Sequence, residues 1–565
     1  MKLTDYVAEF LVKHGVEYVF IFTGGAISHL VDSVYNLNLR TGKLTPICVM
    51  HEQAGAIALD GYARATHKIG AMAVTSGPGA TNLVTGIACS YYDSIPAIYF
   101  TGQVQTHDYK GESKQRQVGF QETDIVSVVK PLTKYAVMIT NPHDIRYELE
   151  KALWIAQSGR PGPVLIDLPM DIQWAEIVAR ELRAYEPDET RPEDNNSIRE
   201  KVTVVADWIR KSKRPMIISG GGVRNARATD EIKALATLGD IPVAVTFGGV
   251  DTFAHDSPLY SGLIGVMGNR ATNISLTKSD LVLAVGTRLT LRQVKMKPKD
   301  FVPNGKLVHV DIDPDELNQR VPTDLSLACD AKEFLTLLLS ELEKDGCPQF
   351  SVWRKQTRNS FEENPFCKPE YYSEKDAVNP YVFMKTLSEQ MADDDILIAD
   401  AGQNVMWAMQ AVEVRAQQRL FTDTAHSTMG YSMPAAIGVA VHYRDGSPRV
   451  ICTIGDGAIQ LNIQELQTIR SYNLPVKIFV LNNHSYGAIM DYQDSKLGGR
   501  YFASSPKYGY SIPDILAIAR AYKIEASKIA SQDGLAQKIR AVLDTKGPIL
   551  CEVEMGLRTH VTLDP

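Results

Sequence analysis

The sequence predicts an α/β protein of three doubly wound domains, and three observations carry that expectation. Short, uniformly apolar runs recur along the chain, each closed by a turn rich in glycine or acid. Strands buried on both faces of a parallel sheet have this signature. Segments with helical periodicity separate the runs, the alternation that a doubly wound sheet requires. Finally, 565 residues exceed what one core accommodates and suggest about three domains of ordinary size.

Met1-Lys2-Leu3-Thr4-Asp5-Tyr6 opens an amphipathic helix and lacks a signal-peptide core. Tyr18-Val19-Phe20-Ile21-Phe22 is a strand closed by Thr23-Gly24-Gly25. Residues 46–50, 71–75, 97–100 and 163–167 are further strands, and 54–65 is a helix opened by His51-Glu52-Gln53. The first domain is expected over 1–178, followed by a polar linker around 187–194. The second is expected over 195–345, with strands at 215–219, 281–285 and 307–310. Residues 346–378, polar, aromatic and rich in turn formers, read as a second linker. The third domain, 379–565, carries strands at 450–454 and 476–481 with a helix at 462–469 between them.

Composition narrows the function classes. Apolar content of 44% and charged content of 22% are those of a soluble globular protein. A net charge of −7 gives no reason to expect nucleic acid or an anionic membrane as partner. No apolar stretch is long enough to span a bilayer. The 7 cysteines are scattered without a Cys-x-x-Cys pair, so free thiols in a reducing compartment, the cytoplasm, are expected.

The densest chemistry lies between residues 455 and 483. Gly455-Asp456-Gly457 closes one strand of the third domain and Asn482-Asn483 closes the next. Ends of neighbouring parallel strands share the edge where open α/β sheets bind ligands. A carboxylate, a carboxamide oxygen and a backbone carbonyl suit a Mg²⁺ that keeps diphosphate oxygens as its other ligands. Gly457 lets the backbone approach that diphosphate, and the following helix start offers free N–H groups. Alone, Gly-Asp-Gly is a turn; with both strands, the helix and Asn-Asn at this separation it is a cofactor signature. In the middle domain Gly220-Gly221-Gly222, Gly286-Thr287-Arg288 and His309-Val310-Asp311 follow or close strands. Glycines and an arginine at strand ends can receive a diphosphate, and a nearby carboxylate can take ribose hydroxyls, although Gly-Gly-Gly by itself is more often a loop.

The spacing and flanks of 455–483 resemble the signature of thiamine-diphosphate (ThDP) enzymes. Gly24-Gly25-Ala26, His51-Glu52-Gln53, Gly119-Phe120-Gln121-Glu122 and residues 76–82, 160–164, 429–438 and 457–466 extend the likeness over nearly the whole chain. They are similar to the acetohydroxyacid (acetolactate) synthase large-subunit branch. The resemblance implies a pyrimidine-binding first domain, a middle FAD-binding-type domain and a diphosphate-binding third domain. It places Glu52 at the ring nitrogen N1′ of the cofactor, where a carboxyl drives the aminopyrimidine to its imino form. Asp456, Asn483 and the Ser485 carbonyl would hold Mg²⁺, and Gly402, Gln403, Asn404, Gly457, Ala458 and Gly487 would line the diphosphate. Met429, which alone reads as a core methionine, would sit beneath the folded cofactor. Gly25, Phe120 and Gln121 would face the reacting carbonyl. FAD would lie against Gly220, Gly221, Gly222, Gly286, Arg288, Arg292 and Asp311. A site shared between the first domain of one subunit and the third of another implies a homodimer or homotetramer, and nothing in the sequence indicates a regulatory subunit.

The activity implied is decarboxylation of pyruvate and transfer of the two-carbon unit to a second carbonyl. Glu52 argues against a binding-only paralogue, which has no need of that carboxyl. Two alternatives stay open: acetyl transfer to a nucleotide-linked keto-sugar, and a ThDP-dependent 2-oxo acid decarboxylase or oxidase. Departures from the family pattern bear on the acceptor. Phe22-Thr23 replaces Tyr-Pro, Tyr492 a tryptophan and Asn404 a histidine; in the middle domain, where the departure bears on FAD instead, Leu289-Thr290-Leu291 replaces a segment with paired carboxylates while Arg292 persists. The loop from Gly102-Gln103-Val104 to Phe120 is longer than the family's and carries Lys110, Lys114 and Arg116.

Overall fold

A computed structural model describes residues 1–187, 193–294 and 298–563. Most of the polar stretch expected as the first linker, 188–192, lies outside the described residues. Three six-stranded sheets follow one another along the chain, every pairing parallel. The first is built from β1 Tyr18–Phe22, β2 Thr45–Cys48, β3 Ala71–Val74, β4 Ala97–Gln103, β5 Tyr135–Met138 and β6 Pro163–Pro169, in the order β2-β1-β3-β4-β6-β5. The second comprises β7 Pro215–Ser219, β8 Val243–Val245, β9 Tyr260–Leu263, β10 Leu281–Val285, β11 Lys306–Asp311 and β12 Leu325–Ala328. Its order, β12-β11-β10-β7-β8-β9, is the dinucleotide-binding arrangement. The third holds β13 Ile396–Ala399, β14 Arg419–Phe421, β15 Val450–Gly455, β16 Val476–Asn482, β17 Glu525–Ile529 and β18 Ile549–Glu554. Its order, β14-β13-β15-β16-β18-β17, repeats that of the first sheet. In both, the chain reverses direction of winding beside the first strand, which opens a crevice at the carboxyl edge.

The first and third domains meet through helices Glu52–Thr66 and Ser432–His442. A Cβ on Gly438 would overlap the Ala58 carbonyl, and one on Gly61 would overlap the Ala435 backbone, so each helix offers a glycine where the other passes. A buried polar network crosses the same interface. Arg64 donates to Asp60 Oδ1 (2.6 Å), Asp93 Oδ2 (2.9 Å) and the Thr422 carbonyl (3.0 Å), and the Tyr431 hydroxyl donates to Asp60 Oδ1.

Residues 346–378 are more than a linker. They contain the helix Ser351–Glu362, tied to the middle sheet by the Trp353 indole N–H on the Pro215 carbonyl (2.9 Å). The expected helix at 462–469 is also broken. A 3₁₀ turn Ile463–Glu465 leads into an α-helix Leu466–Ser471, and the Asn462 amide is turned onto the Gly430 carbonyl (2.9 Å).

Candidate active site

Strands β13, β15 and β16 run parallel and adjacent, so their carboxyl ends share one edge of the third sheet. Asp456 follows β15 and opens the helix Asp456–Ile459. It is buried; its Oδ1 accepts from Gly457 N (2.9 Å) and its Oδ2 has no partner. Burial pushes this carboxyl up to about 6. Past β16 the two asparagines part. Asn482 is held by Glu552 Oε1 (2.6 Å) and by His484 N (3.0 Å). Asn483 accepts from Ser485 N (3.3 Å) and donates to the Thr559 hydroxyl (3.2 Å).

Gly402, at φ +85°, turns the chain from β13 into helix Gln403–Ala411, a conformation that favours glycine. Gln403 Nε2 donates to Asp491 Oδ2 (2.6 Å) and to the Thr559 carbonyl (2.8 Å). Asn404 Nδ2 donates to the Thr453 carbonyl (2.7 Å). A Cβ on Gly487 would overlap the Gln403 amide, and one on Gly457 would overlap the Tyr486 ring. Five buried side-chain oxygens at this edge have no hydrogen-bond partner: Asn404 Oδ1, Thr453 Oγ1, Asp456 Oδ2, Ser485 Oγ and Tyr510 Oη. Buried polar atoms are rarely left so, and their concentration here marks a place for a polar ligand. Among the described residues no three His, Cys, Asp or Glu form a metal cage. The oxygen donors at this edge, the Asp456 carboxylate with a carboxamide and a backbone carbonyl, are of the kind that suits a Mg²⁺ taking its other ligands from a diphosphate.

Met429 is half-buried and precedes Gly430, whose N–H donates to Asp400 Oδ1 (2.9 Å). Asp400 Oδ2 accepts from Ser432 N (2.8 Å) and Oγ (2.9 Å), so this buried carboxylate fixes the Met429 turn. Burial pushes it up to about 6, against the pull of those bonds. Ala458 is buried, with its carbonyl 3.0 Å from where a Gly430 Cβ would stand.

The second half-site lies at the carboxyl edge of the first sheet. Glu52 is the first residue of its helix, 5% exposed, and its Oε2 accepts from Asn82 Nδ2 (2.9 Å). A Cβ on Gly79 would stand 3.3 Å from Glu52 Oε1, and one on Gly77 2.8 Å from the Gln121 carbonyl. Gly25 opens the turn Gly25–Ile27 after β1, in which Ala26 N donates to Thr75 Oγ1 (3.3 Å). The structure thus gathers Gly25, Glu52 and Gln121 around residues 75–79. Glu122 organises the long loop, accepting from Lys110 N (2.7 Å), Val118 N (2.8 Å) and Gly119 N (3.1 Å). Phe120, where the loop ends, is 86% exposed. The Glu52 carboxyl bonds within the first domain and Asp456 within the third.

In the middle domain a cavity of about 430 Å³ is lined by Gly221, Gly222, Gly286, Arg288, Arg292 and Asp311, joined by Arg64 and Arg160 of the first domain. Gly220 lies beneath it, where a Cβ would overlap the Gly286 carbonyl. The volume falls within the roughly 300–1,000 Å³ usual for cofactor sites.

Sequence reasoning assigned no role to Asp400, Asn82, Asp491, Glu465 or Thr559. Asp400 carried the same signal as Asp456, an acid at the end of an apolar run. Thr559, beyond the last strand, carried none.

Three family models cover the three domains. Residues 1–128 match the thiamine pyrophosphate enzyme N-terminal TPP binding domain, 202–338 the central domain and 400–553 the C-terminal TPP binding domain. Relatives named acetolactate synthase large subunit align over almost the full length. That of Cyanidium caldarium is 35% identical, over 96% of this chain and 91% of its own. Those of Porphyra purpurea (32%; 96% and 90%) and Haemophilus influenzae (32%; 99% and 95%) are similar. The chain is a thiamine pyrophosphate enzyme of the acetolactate synthase type. A ThDP enzyme needs a diphosphate site and a carboxyl for the pyrimidine, and the third- and first-sheet edges present residues of those kinds.

Proposed function

We propose that this ThDP enzyme decarboxylates pyruvate and joins the two-carbon unit to a second carbonyl, with Mg²⁺ holding the cofactor. The observation that carries the reading is the third-sheet edge, where Asp456, with its unpartnered Oδ2, follows β15 and Asn483 and Ser485 follow the neighbouring strand β16. Asp456, Asn483 and the Ser485 carbonyl would hold the metal, and Gly402, Gln403, Asn404, Gly457, Ala458 and Gly487 would line the diphosphate. When bound, the thiazolium supplies the nucleophilic carbon and the electron sink that loss of CO₂ requires. Glu52, buried and held by Asn82, would be the carboxyl that holds a proton at the pyrimidine nitrogen. Met429, on the turn set by Asp400, would supply an apolar surface against the cofactor rings. Gly25, Phe120 and Gln121 face the substrate carbonyl, and Gly25 leaves open the space a Cβ would fill. Keeping water from the bound two-carbon unit favours ligation over release as aldehyde.

The domains are assigned as pyrimidine-binding (1–178), middle FAD-type (195–345) and diphosphate-binding (379–565). FAD in the middle cavity is supported by its glycine and arginine lining. Assembly as a homodimer or homotetramer is supported by apolar side chains exposed around both half-sites, Phe120 and Val118 on one and Ile489, Tyr492 and Phe502 on the other. The free cysteines accord with the cytoplasm. A second reading, with a nucleotide-linked keto-sugar as acceptor, is favoured by the exposed Tyr492 and by the basic loop.

Glu52→Gln tests the assignment. It keeps size but loses the exchangeable proton, so ThDP should still bind while turnover falls by about 10²–10⁴-fold. Near-normal turnover would show that the activating carboxyl lies elsewhere.

A further inference from the structure

Glu465 lies wholly inside the protein, at the end of the 3₁₀ turn Ile463–Glu465. Its carboxyl reaches out of the third domain. Met50 N donates to Oε1 (3.1 Å) and Oε2 (3.3 Å), and Thr468 Oγ1 donates to Oε2 (2.6 Å). Met50 lies between the end of β2 and Glu52. A second bond of the same kind lies two residues earlier, where Cys48 N donates to the Tyr472 hydroxyl (2.7 Å). Two peptide N–H groups of the segment that delivers Glu52 are therefore held by side chains of the third domain. On the far side, His51 Nδ1 caps its own helix at Gln53 N (3.2 Å).

A buried carboxylate is costly unless its oxygens are bonded, and Met50 N and Thr468 Oγ1 both donate to Glu465. Burial pushes the carboxyl up to about 7, so an apolar residue would pack here at lower cost. What the carboxylate adds is a fixed position for the Met50 peptide. From these contacts we propose that Glu465 is a positioning residue for Glu52, setting the reach of its carboxyl by holding the strand end from which its helix starts. The proposal rests on the reading of Glu52 given above.

The test uses the full-length protein loaded with ThDP and Mg²⁺. The rate at which the cofactor's C2 proton exchanges into D₂O is read by NMR after acid quench, and ThDP affinity is measured in parallel by calorimetry. Glu465→Gln should slow exchange by about tenfold or more, a misplacement effect, while ThDP affinity changes less than about twofold. Thr468→Val, which frees Oε2 without altering residue 465, should slow it less. A purely structural role would weaken ThDP binding and leave exchange in the loaded protein at the wild-type rate, and that result overturns the proposal. Should Glu465→Gln fail to fold, wild-type exchange in both Thr468→Val and Tyr472→Phe overturns it equally. Glu52→Gln is the control. Wild-type exchange there overturns the Glu52 reading and this proposal together; slow exchange there with wild-type exchange in Glu465→Gln overturns this proposal alone.

Discussion

Asp456 is a carboxylate that the fold does not need. It is buried, one oxygen has no partner, and its raised pKa reports the cost of ionising it there. Asp456→Ala should therefore leave the fold intact while abolishing Mg²⁺-dependent retention of ThDP, because the diphosphate then meets fixed dipoles without its bridging cation. A calorimetric titration with unchanged ThDP affinity would contradict the assignment. The placement of Asp456 and Asn483 at adjacent strand ends was legible in the sequence because each follows an apolar run. Glu465 was not. Its partner Met50 lies 415 residues away, and nothing near Glu465 distinguishes it from an ordinary helix-start acid. Thr559 is similar, since its bonds to Gln403 and Asn483 exist only once the tail has folded back over the third sheet.

Among the elements, the crossing of helices Glu52–Thr66 and Ser432–His442 controls how the first and third domains sit together. Gly438→Ala would push a methyl group into the Ala58 carbonyl. It should destabilise the protein by about 1–3 kcal/mol, the usual cost of overpacking, seen as a lower midpoint in thermal or urea unfolding. An unchanged midpoint would mean that the helices separate without cost. Strands buried along their length, such as β1, β3, β7, β15 and β16, were readable as apolar runs. Three half-buried strands were not: β12 and β17 mix polar residues into the pattern, and β5 is a run of only four residues, half-buried at a sheet edge. The helix expected at 462–469 failed at its start because the Asn462 side chain serves the Gly430 carbonyl. Helix Ser351–Glu362 was missed because its mean composition is polar and only Trp353 and Thr357 are buried.

At the scale of the whole molecule, two sheets of the same strand order present two different half-sites, one with Glu52 and one with Asp456. The long loop gathered by Glu122 carries Lys110, Lys114 and Arg116 and leads to Gln121, whose backbone lies against Gly77. If the acceptor carries phosphate, each charge-assisted hydrogen bond from that loop contributes about 1.5–3 kcal/mol, whereas pyruvate as donor needs none. Neutralising the three residues should then weaken use of a nucleotide-sugar acceptor and spare acetolactate formation from two pyruvates, as measured by competing the two acceptors. Equal loss of both would mark the loop as scaffold. The central claim, however, is carboligation itself, and one measurement tests it most directly. The protein is supplied with ThDP, Mg²⁺ and pyruvate as the sole 2-oxo acid, and the products are identified by mass. The account predicts CO₂ together with acetolactate, lost when ThDP or Mg²⁺ is withheld and lost in Glu52→Gln. Acetaldehyde or acetate in place of a ligated product, or acetolactate formed without the cofactors, would contradict it.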